Sequence, residues 1–331
     1  MHKYVGVDVS RDSLEVALAP EAATRRFPNT VDGAKHLSAW LRWTEPKAIW
    51  HVILEPTSTY HQVLVQTLSR QRLSWSVVNP AQSARYARMH GSRVKTDPAD
   101  ARMLARYGER ETPAPSPEPD EDQERLRSLR RHSEWLEGEI RSASNRLEAA
   151  GHSPWTPASV RHSLERVLRD LKKELARVER ELQALVHQKP RWAQGVEVLT
   201  TIPGVGVHTA VLILSELPPI ARSTNGKQWV AFCGIDPHIH QSGTSKWSTL
   251  SRVGSNRTRA GLYLPSASAM RWNPPIRALN ERLKAGGKSG RVRVFAAMNK
   301  LLHQCFAILR SGKPFDPALY QQGRLDFQYG I

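Results

Sequence analysis

KYVGVDVSRDSLEVALA, residues 3–19, decides the fold class of this chain. Its first part, KYVGVDV (3–9), alternates and is β-rich, and LEVALA (14–19) follows across a short turn as a second strand. AKHLSAWLRW (34–43) then reads as an amphipathic helix. AIWHVILE (48–55) is a fuller apolar run, of the kind a central strand needs. A helix near 60–71, a strand at SWSVVN (74–79) and helical sequence through KTDPADARML (95–104) continue the pattern. A hairpin followed by alternating helices and strands predicts an α/β layered sheet.

Residues 112–121, TPAPSPEPDE, hold four prolines and can neither continue a helix nor enter a sheet, so a boundary or linker is expected there. Beyond it, Leu126, Leu129, Ser133, Leu136, Ile140, Ala143 and Leu147 keep the 3–4 spacing of a coiled-coil seam. After the break GHSPWTP (151–157), Leu164, Leu168, Leu171, Leu175, Val178, Leu182 and Leu185 repeat it. Two such helices joined by a turn make a helical hairpin, folded on itself or paired with another copy. The last third predicts helices separated by Gly- and Ser-rich loops, notably HQSGTSKWSTLSRVGSN (240–256). Three domains are therefore expected, at 1–112, 113–192 and 193–331.

The chain of 331 residues carries 48 Lys and Arg against 31 Asp and Glu, a formal net charge of +17. From Thr201 to Ile331 the balance is 17 to 5. Such a field attracts polyanions, and nucleic acid is the commonest. A membrane partner is not expected, because no apolar run is long enough to span a bilayer. MHKYVGVDVS lacks a signal-peptide core, which with two apolar-flanked cysteines, Cys233 and Cys305, predicts a cytoplasmic protein with buried free thiols.

Against this basic background, Asp97 and Asp100 lie about one helical turn apart. They have a plain structural reading, with Asp97 as N-cap before Pro98 and Asp100 in the first turn. Two further carboxylates favour a second reading. Asp8 lies in an apolar strand, where an isolated charge is costly. Glu55 ends the central strand, where active-site residues of open α/β sheets collect. Hard divalent cations take oxygen ligands of this kind and relieve their repulsion.

GVDVS (6–10), LEPTSTY (54–60), VNP (78–80) and KTDPADARML resemble the DEDD transposase domain of the insertion-sequence family related to the Piv DNA invertase, the bridge-RNA-guided serine recombinases. The resemblance implies a RuvC-like, RNase H-fold N-terminal domain with Asp8, Glu55, Asp97 and Asp100 as its catalytic, metal-binding tetrad. Where the family has Glu-Ala-Thr-Gly-Thr-Tyr, this chain has Pro56 and Ser58. FCGIDPHIHQSGTSKW (232–247) and SRVGSNRTRAGLYLPSA (251–267) are similar to the same family's C-terminal transposase domain, whose nucleophilic serine maps onto Ser242. IPGVGVHTA (202–210) resembles a helix-hairpin-helix turn, in which Gly204 and Gly206 would let backbone N–H groups approach a DNA phosphate. A tight turn between helices is its plain alternative.

The family implies a transposase that cleaves and exchanges DNA strands at specific sites through a covalent phosphoserine, using Mg²⁺ or Mn²⁺. Its implied partners are donor and target DNA, a structured guide (bridge) RNA and further copies of the chain, as a dimer or tetramer on DNA. Its implied setting is the bacterial cytoplasm, at the nucleoid when acting. Lys246, Arg252, Arg257 and Arg259 are suitable phosphate partners around the serine. Two other readings stay open at this point: a metal-dependent junction resolvase that cuts by water attack, and a non-catalytic nucleic-acid-binding protein.

Overall fold

The structure, a computed structural model, describes residues 2–19, 23–90, 96–242, 245–250 and 254–320, and of 237–240, 242, 245–250 and 320 the backbone alone. The chain divides into two compact units, Met1–Asp120 and Glu121–Ile331.

The first unit runs β1 (His2–Val9), β2 (Ser13–Leu18), β3 (Thr24–Pro28), α1 (Val31–Thr44), β4 (Ile49–Leu54), α2 (His61–Arg70), β5 (Ser74–Val77), α3 (Pro80–Met89) and α4 (Asp97–Glu111). Its sheet has the order β3-β2-β1-β4-β5. β1 pairs antiparallel with β2, with Val7 opposite Val16, and parallel with β4, with Val5 opposite Val52. β3 was not foreseen from the sequence. It is an edge strand, TRRFP, in which only Phe27 is buried and both arginines are exposed, Arg26 bonded to Glu15 and Arg25 over the Phe27 and Trp40 rings. That pattern protects an edge from foreign strands and hides the strand's alternation.

Strand alternation sorts the side chains of β1 and β4 onto two faces. Val5, Val7, Val9, Val52 and Leu54 pack with Leu37 and Leu41 of α1 and Leu64 and Leu68 of α2. On the other face, Ile53 packs against Leu104 of α4, with Tyr4 at the margin. Gly6 is what lets α4 lie so close. A Cβ there would stand 2.0 Å from the Ala101 carbonyl oxygen and 2.3 Å from the Ala105 nitrogen. No side chain fits, so Gly6→Ala must lift the helix from the strand. We expect a loss of about 1–3 kcal/mol, read as a lower urea midpoint with unchanged slope, and weaker divalent-cation binding. An unchanged midpoint would mean that α4 is not seated on β1 as described.

The Pro-rich stretch is tied down. Ser116 N–H donates to Trp75 O (2.7 Å), Val77 N–H to Ser116 Oγ (2.9 Å) and Ser76 Oγ–H to Ala114 O (2.7 Å). Prolines are tolerated beside an edge strand because that edge needs few donors from them. The division between units therefore follows this strap, at Asp120.

The second unit begins with α5 (Glu121–His152) and α6 (Ala158–Gln188), joined by a short turn and packed against each other. Leu126, Ser133, Leu136 and Ala143 of one seam are buried, as are Val178, Leu182 and Leu185 of the other. The seams fold on themselves within the chain; Leu164, Leu168, Leu171 and Leu175, toward the tip, are half-buried. Next come α7 (Pro190–Thr200), α8 (Val207–Glu216), α9 (Gly226–Cys233), β6 (Pro237–Ser242), β7 (Ser245–Leu250), α10 (Asn256–Trp272), α11 (Pro274–Ala285) and α12 (Gly290–Ser311). Leu199, Ile202, Trp229, Leu262, Met298 and Leu301 centre their shared core. α5 is fastened to α8 by Glu216, which is buried and accepts from Arg131 Nε at 2.7 Å and Nη2 at 2.8 Å. Removing Arg131 would leave the Glu216 charge buried without this bidentate partner, so the pair is costly to break. Both cysteines are buried free thiols, and burial pushes Cys233 up to about 12.

The segment taken as a Gly- and Ser-rich loop contains an antiparallel hairpin, β6 with β7, in which Pro237 pairs with Leu250 and Ser242 with Ser245. The two runs alternate about a Gly-Thr pair, a hairpin signal that the Ser-rich composition masked.

Candidate active site

Alternation continues upward from the α4 contact. Two residues beyond Gly6, Asp8 falls on the same face of β1, and Glu55 stands two beyond Ile53 at the end of β4. α4 runs across this face from its N-terminal turn, which carries Asp97 and Asp100. Asp97 lies four positions before Ala101, whose carbonyl lies against Gly6, so the helix start comes level with Asp8. The sequence reading put Asp97 at the N-cap. The cap is Thr96, without a side-chain hydrogen bond, and Asp97 is the first helical residue with Pro98 second. The Asp97 carboxylate is thus not spent on capping, and the helix's positive end favours both aspartates.

The electrostatics bring the four together. Burial pushes the Asp8 carboxyl from 3.8 up to about 6, and the charges of Asp100, Asp97 and Glu55 push it the same way; the Val9 N–H opposes them. Asp8 is thus the centre of a negative cluster made from two strand ends and one helix start. A donor set of carboxylate oxygens alone fits a hard divalent cation. Their oxygens are spread more widely than those of Glu137, Glu179 and His208 in the second unit. Those three form the one His/Cys/Asp/Glu group among the described residues with donor atoms all within 4.8 Å.

Two features beside the tetrad were missed or only half seen in the sequence. Ser58 occupies the position of the family's glycine, at φ 47°. A residue with a Cβ holds that left-handed conformation at a cost of about 1 kcal/mol. Asn29 was not singled out. Its Nδ2 donates to Ser10 O (2.8 Å) and Tyr60 O (3.1 Å), tying the loop after Asp8 to the loop after Glu55. A lone Asn after an edge strand carries no sequence signal for this role.

In the second unit, Ser242 is the last residue of β6 and Lys246 lies in β7; their side chains, and the whole of Arg252, fall outside the described residues. Arg257 is ion-paired with Glu134, and Arg259 donates to Gly234 O at 3.2 Å and to Asn256. Both arginines therefore have partners within the protein. The two glycines of the proposed phosphate turn differ. A Cβ on Gly204, at φ 102°, would strike Ala269 Cβ and Pro265 O at 2.8 Å, so this glycine serves packing on α10. Gly206 is exposed at the N-cap of α8, and a Cβ there would meet nothing. Of the pair, only Gly206 presents open backbone.

Both parts of the chain resemble known proteins. Residues 5–150 match a DEDD transposase domain of the IS110 group, and residues 196–281 match the Transposase IS116/IS110/IS902 family. The pilin gene-inverting protein of Moraxella bovis is 27% identical over 327 residues, covering 96% of this chain and 99% of its own. That of Moraxella lacunata is 26% identical over the same extent. The insertion element IS110 uncharacterized 43.6 kDa protein of Streptomyces coelicolor is 28% identical over 116 residues, 35% of this chain and 29% of that one. With a carboxylate cluster at the end of its sheet and both halves matched in order, the chain belongs to the IS110 family of DEDD transposases, enzymes of DNA recombination.

Proposed function

We propose that this protein is a site-specific DNA recombinase that cuts and exchanges strands through a covalent bond between DNA and Ser242, with Asp8, Glu55, Asp97 and Asp100 as its divalent-cation site. The face of the sheet that carries Asp8 and Glu55, crossed by the end of α4 that bears Asp97 and Asp100, carries the cation-site reading, and the raised Asp8 carboxyl supports it. The 3-2-1-4-5 strand order, with three antiparallel strands followed by two parallel ones, supports an RNase H-like N-terminal domain. When bound, Mg²⁺ or Mn²⁺ supplies charge neutralisation at the phosphate oxygens.

The chain's own groups do the rest. The Ser242 hydroxyl attacks phosphorus and forms a P–O bond, while the bond to one sugar oxygen breaks. The serine's proton is taken up by a base, and a proton ends on the departing oxygen. A second DNA hydroxyl reverses the step on a new partner, so the bond energy is conserved and no nucleotide hydrolysis is needed. Ser242 at the end of a hairpin, next to Gly243, suits close approach to DNA. Gly206 and the basic residues near Ser242 in the sequence, Lys246, Arg252, Arg257 and Arg259, are suitable contacts to the DNA phosphates. The guide RNA rests on the resemblance and the +17 charge. A homo-oligomer follows from the need to hold two DNA sites at once, and the bacterial cytoplasm rests on the resemblance.

The test mixes full-length protein, RNA transcribed from the element's flank, paired DNA sites and Mg²⁺, read on a denaturing gel with and without protease. Cleaved strands that are RNA- and Mg²⁺-dependent, with a protease-sensitive shifted species, are expected. Cleavage without RNA would remove the guide, and free ends with no shifted species would replace Ser242 by water.

A further inference from the structure

Between Pro274 and Arg293 the chain holds six cations and one carboxylate, Glu281. Most of this stretch, from residue 282 on, lies beyond both matched family regions. It is a tight corner between two helices. Gly287, at φ 73°, closes α11: Lys288 N–H donates to Leu283 O and Gly287 N–H to Lys284 O, both at 3.0 Å. Ser289 then caps α12, accepting from Val292 N–H. Both ends of the connection are thus anchored through the backbone.

Arg282, Lys284 and Arg291 are exposed and Lys288 is half-buried, and none of the four has a carboxylate partner among the described residues. Of the remaining two cations, Arg277 faces Glu281 at 4.0 Å and Arg293 donates to Asn280 at 2.9 Å. Arg282 and Lys284 have an ordinary explanation, since cations suit a helix C-terminus. Lys288, whose N–H closes α11, shares that explanation. Arg291 does not: it stands in the first turn of α12, where the helix favours anions. For folding alone that placement is unfavourable. An anionic ligand spread over several ångströms reverses that sign. The backbone leaves room for one: a Cβ on Gly287 would meet nothing within 4 Å, and one on Gly290 only Arg293 Nη2 at 3.8 Å.

We propose that the α11–α12 corner grips the phosphate backbone of duplex DNA, independently of sequence and apart from the catalytic carboxylates. Duplex DNA is chosen because the chain is an enzyme of DNA recombination. The proposal does not depend on Ser242 or on where strands are cut.

Binding of full-length protein to a short duplex of unrelated sequence, measured in EDTA across a salt series, tests it. Each phosphate contact contributes about 0.9 to the slope of log affinity against log salt, so Arg282→Gln/Lys284→Gln/Arg291→Gln should lower that slope by about 2.7. The comparison variant, Arg166→Gln/Arg169→Gln/Lys173→Gln, removes the same charge from exposed positions on α6 and should change it by less than about 1. Melting of both variants at the wild-type temperature excludes misfolding. Equal losses in the two variants, a preserved slope, or a loss seen with structured RNA but not with duplex DNA would each overturn the assignment.

Discussion

Asp8→Asn should lower DNA strand cleavage by at least about a hundredfold, the scale expected when a preorganised charge at the reacting phosphate is lost, while leaving DNA binding nearly unchanged. The same substitution should make the cation-free protein more stable. In the fold the Asp8 carboxyl is raised to about 6 from its ordinary 3.8. Between these values the folded protein holds more protons than the unfolded chain. Stability in EDTA therefore falls as pH rises through this window and levels off above it. The full shift corresponds to about 3 kcal/mol. Because the group is only half-buried, we expect about 1–2 kcal/mol after solvent screening. Asp8→Asn removes this dependence, so in EDTA at neutral pH it should melt above the wild type. Divalent cation should then stabilise the wild type more than the variant. A variant that is inactive and also less stable in EDTA would make Asp8 a structural residue, and one that cleaves at the wild-type rate would end the assignment of the tetrad.

Ser242→Ala should eliminate protein-linked DNA altogether, because no other atom of that side chain can form the phosphoester. Labelled DNA incubated with Mg²⁺, denatured and digested, should yield one phosphopeptide containing Ser242 in the wild type and none in the variant. Thr244 and Ser245 are close enough in sequence for an adduct on either to be the informative alternative. In the β6–β7 register Ser245 lies directly opposite Ser242. An adduct on Ser245 would keep the mechanism and move the nucleophile across the hairpin. Cleaved ends with no adduct in the wild type would mean that water attacks and that the protein acts as a resolvase.

The hairpin of β1 and β2, the central β4 and the two seams of the helical middle were all legible in the sequence. Each depends on the period of its apolar residues, which burial on one face enforces locally. β3 and the β6–β7 hairpin were not, since an edge strand is held by a neighbour's backbone and a Ser-rich hairpin by its pairing register. Neither leaves an apolar pattern. The tetrad was legible as four residues by type and by resemblance. Their convergence was not, because it depends on Gly6 admitting α4 onto the sheet and on alternation placing Asp8 and Glu55 on that same face.

By itself, then, the sequence determined the α/β class of the first unit, the helical hairpin and the basic character, because all of these follow from residue type and spacing; with the resemblance it also offered the four candidate carboxylates. Only the tertiary structure decided that Asp97 is free of capping, that Gly204 serves packing while Gly206 stays open, that Arg257 and Arg259 have internal partners, and that Asn29 ties the loop after β1 to the loop after β4. Those roles depend on which atoms lie within a few ångströms. Distance across the fold is set by packing between segments far apart in the chain, and no local pattern encodes it.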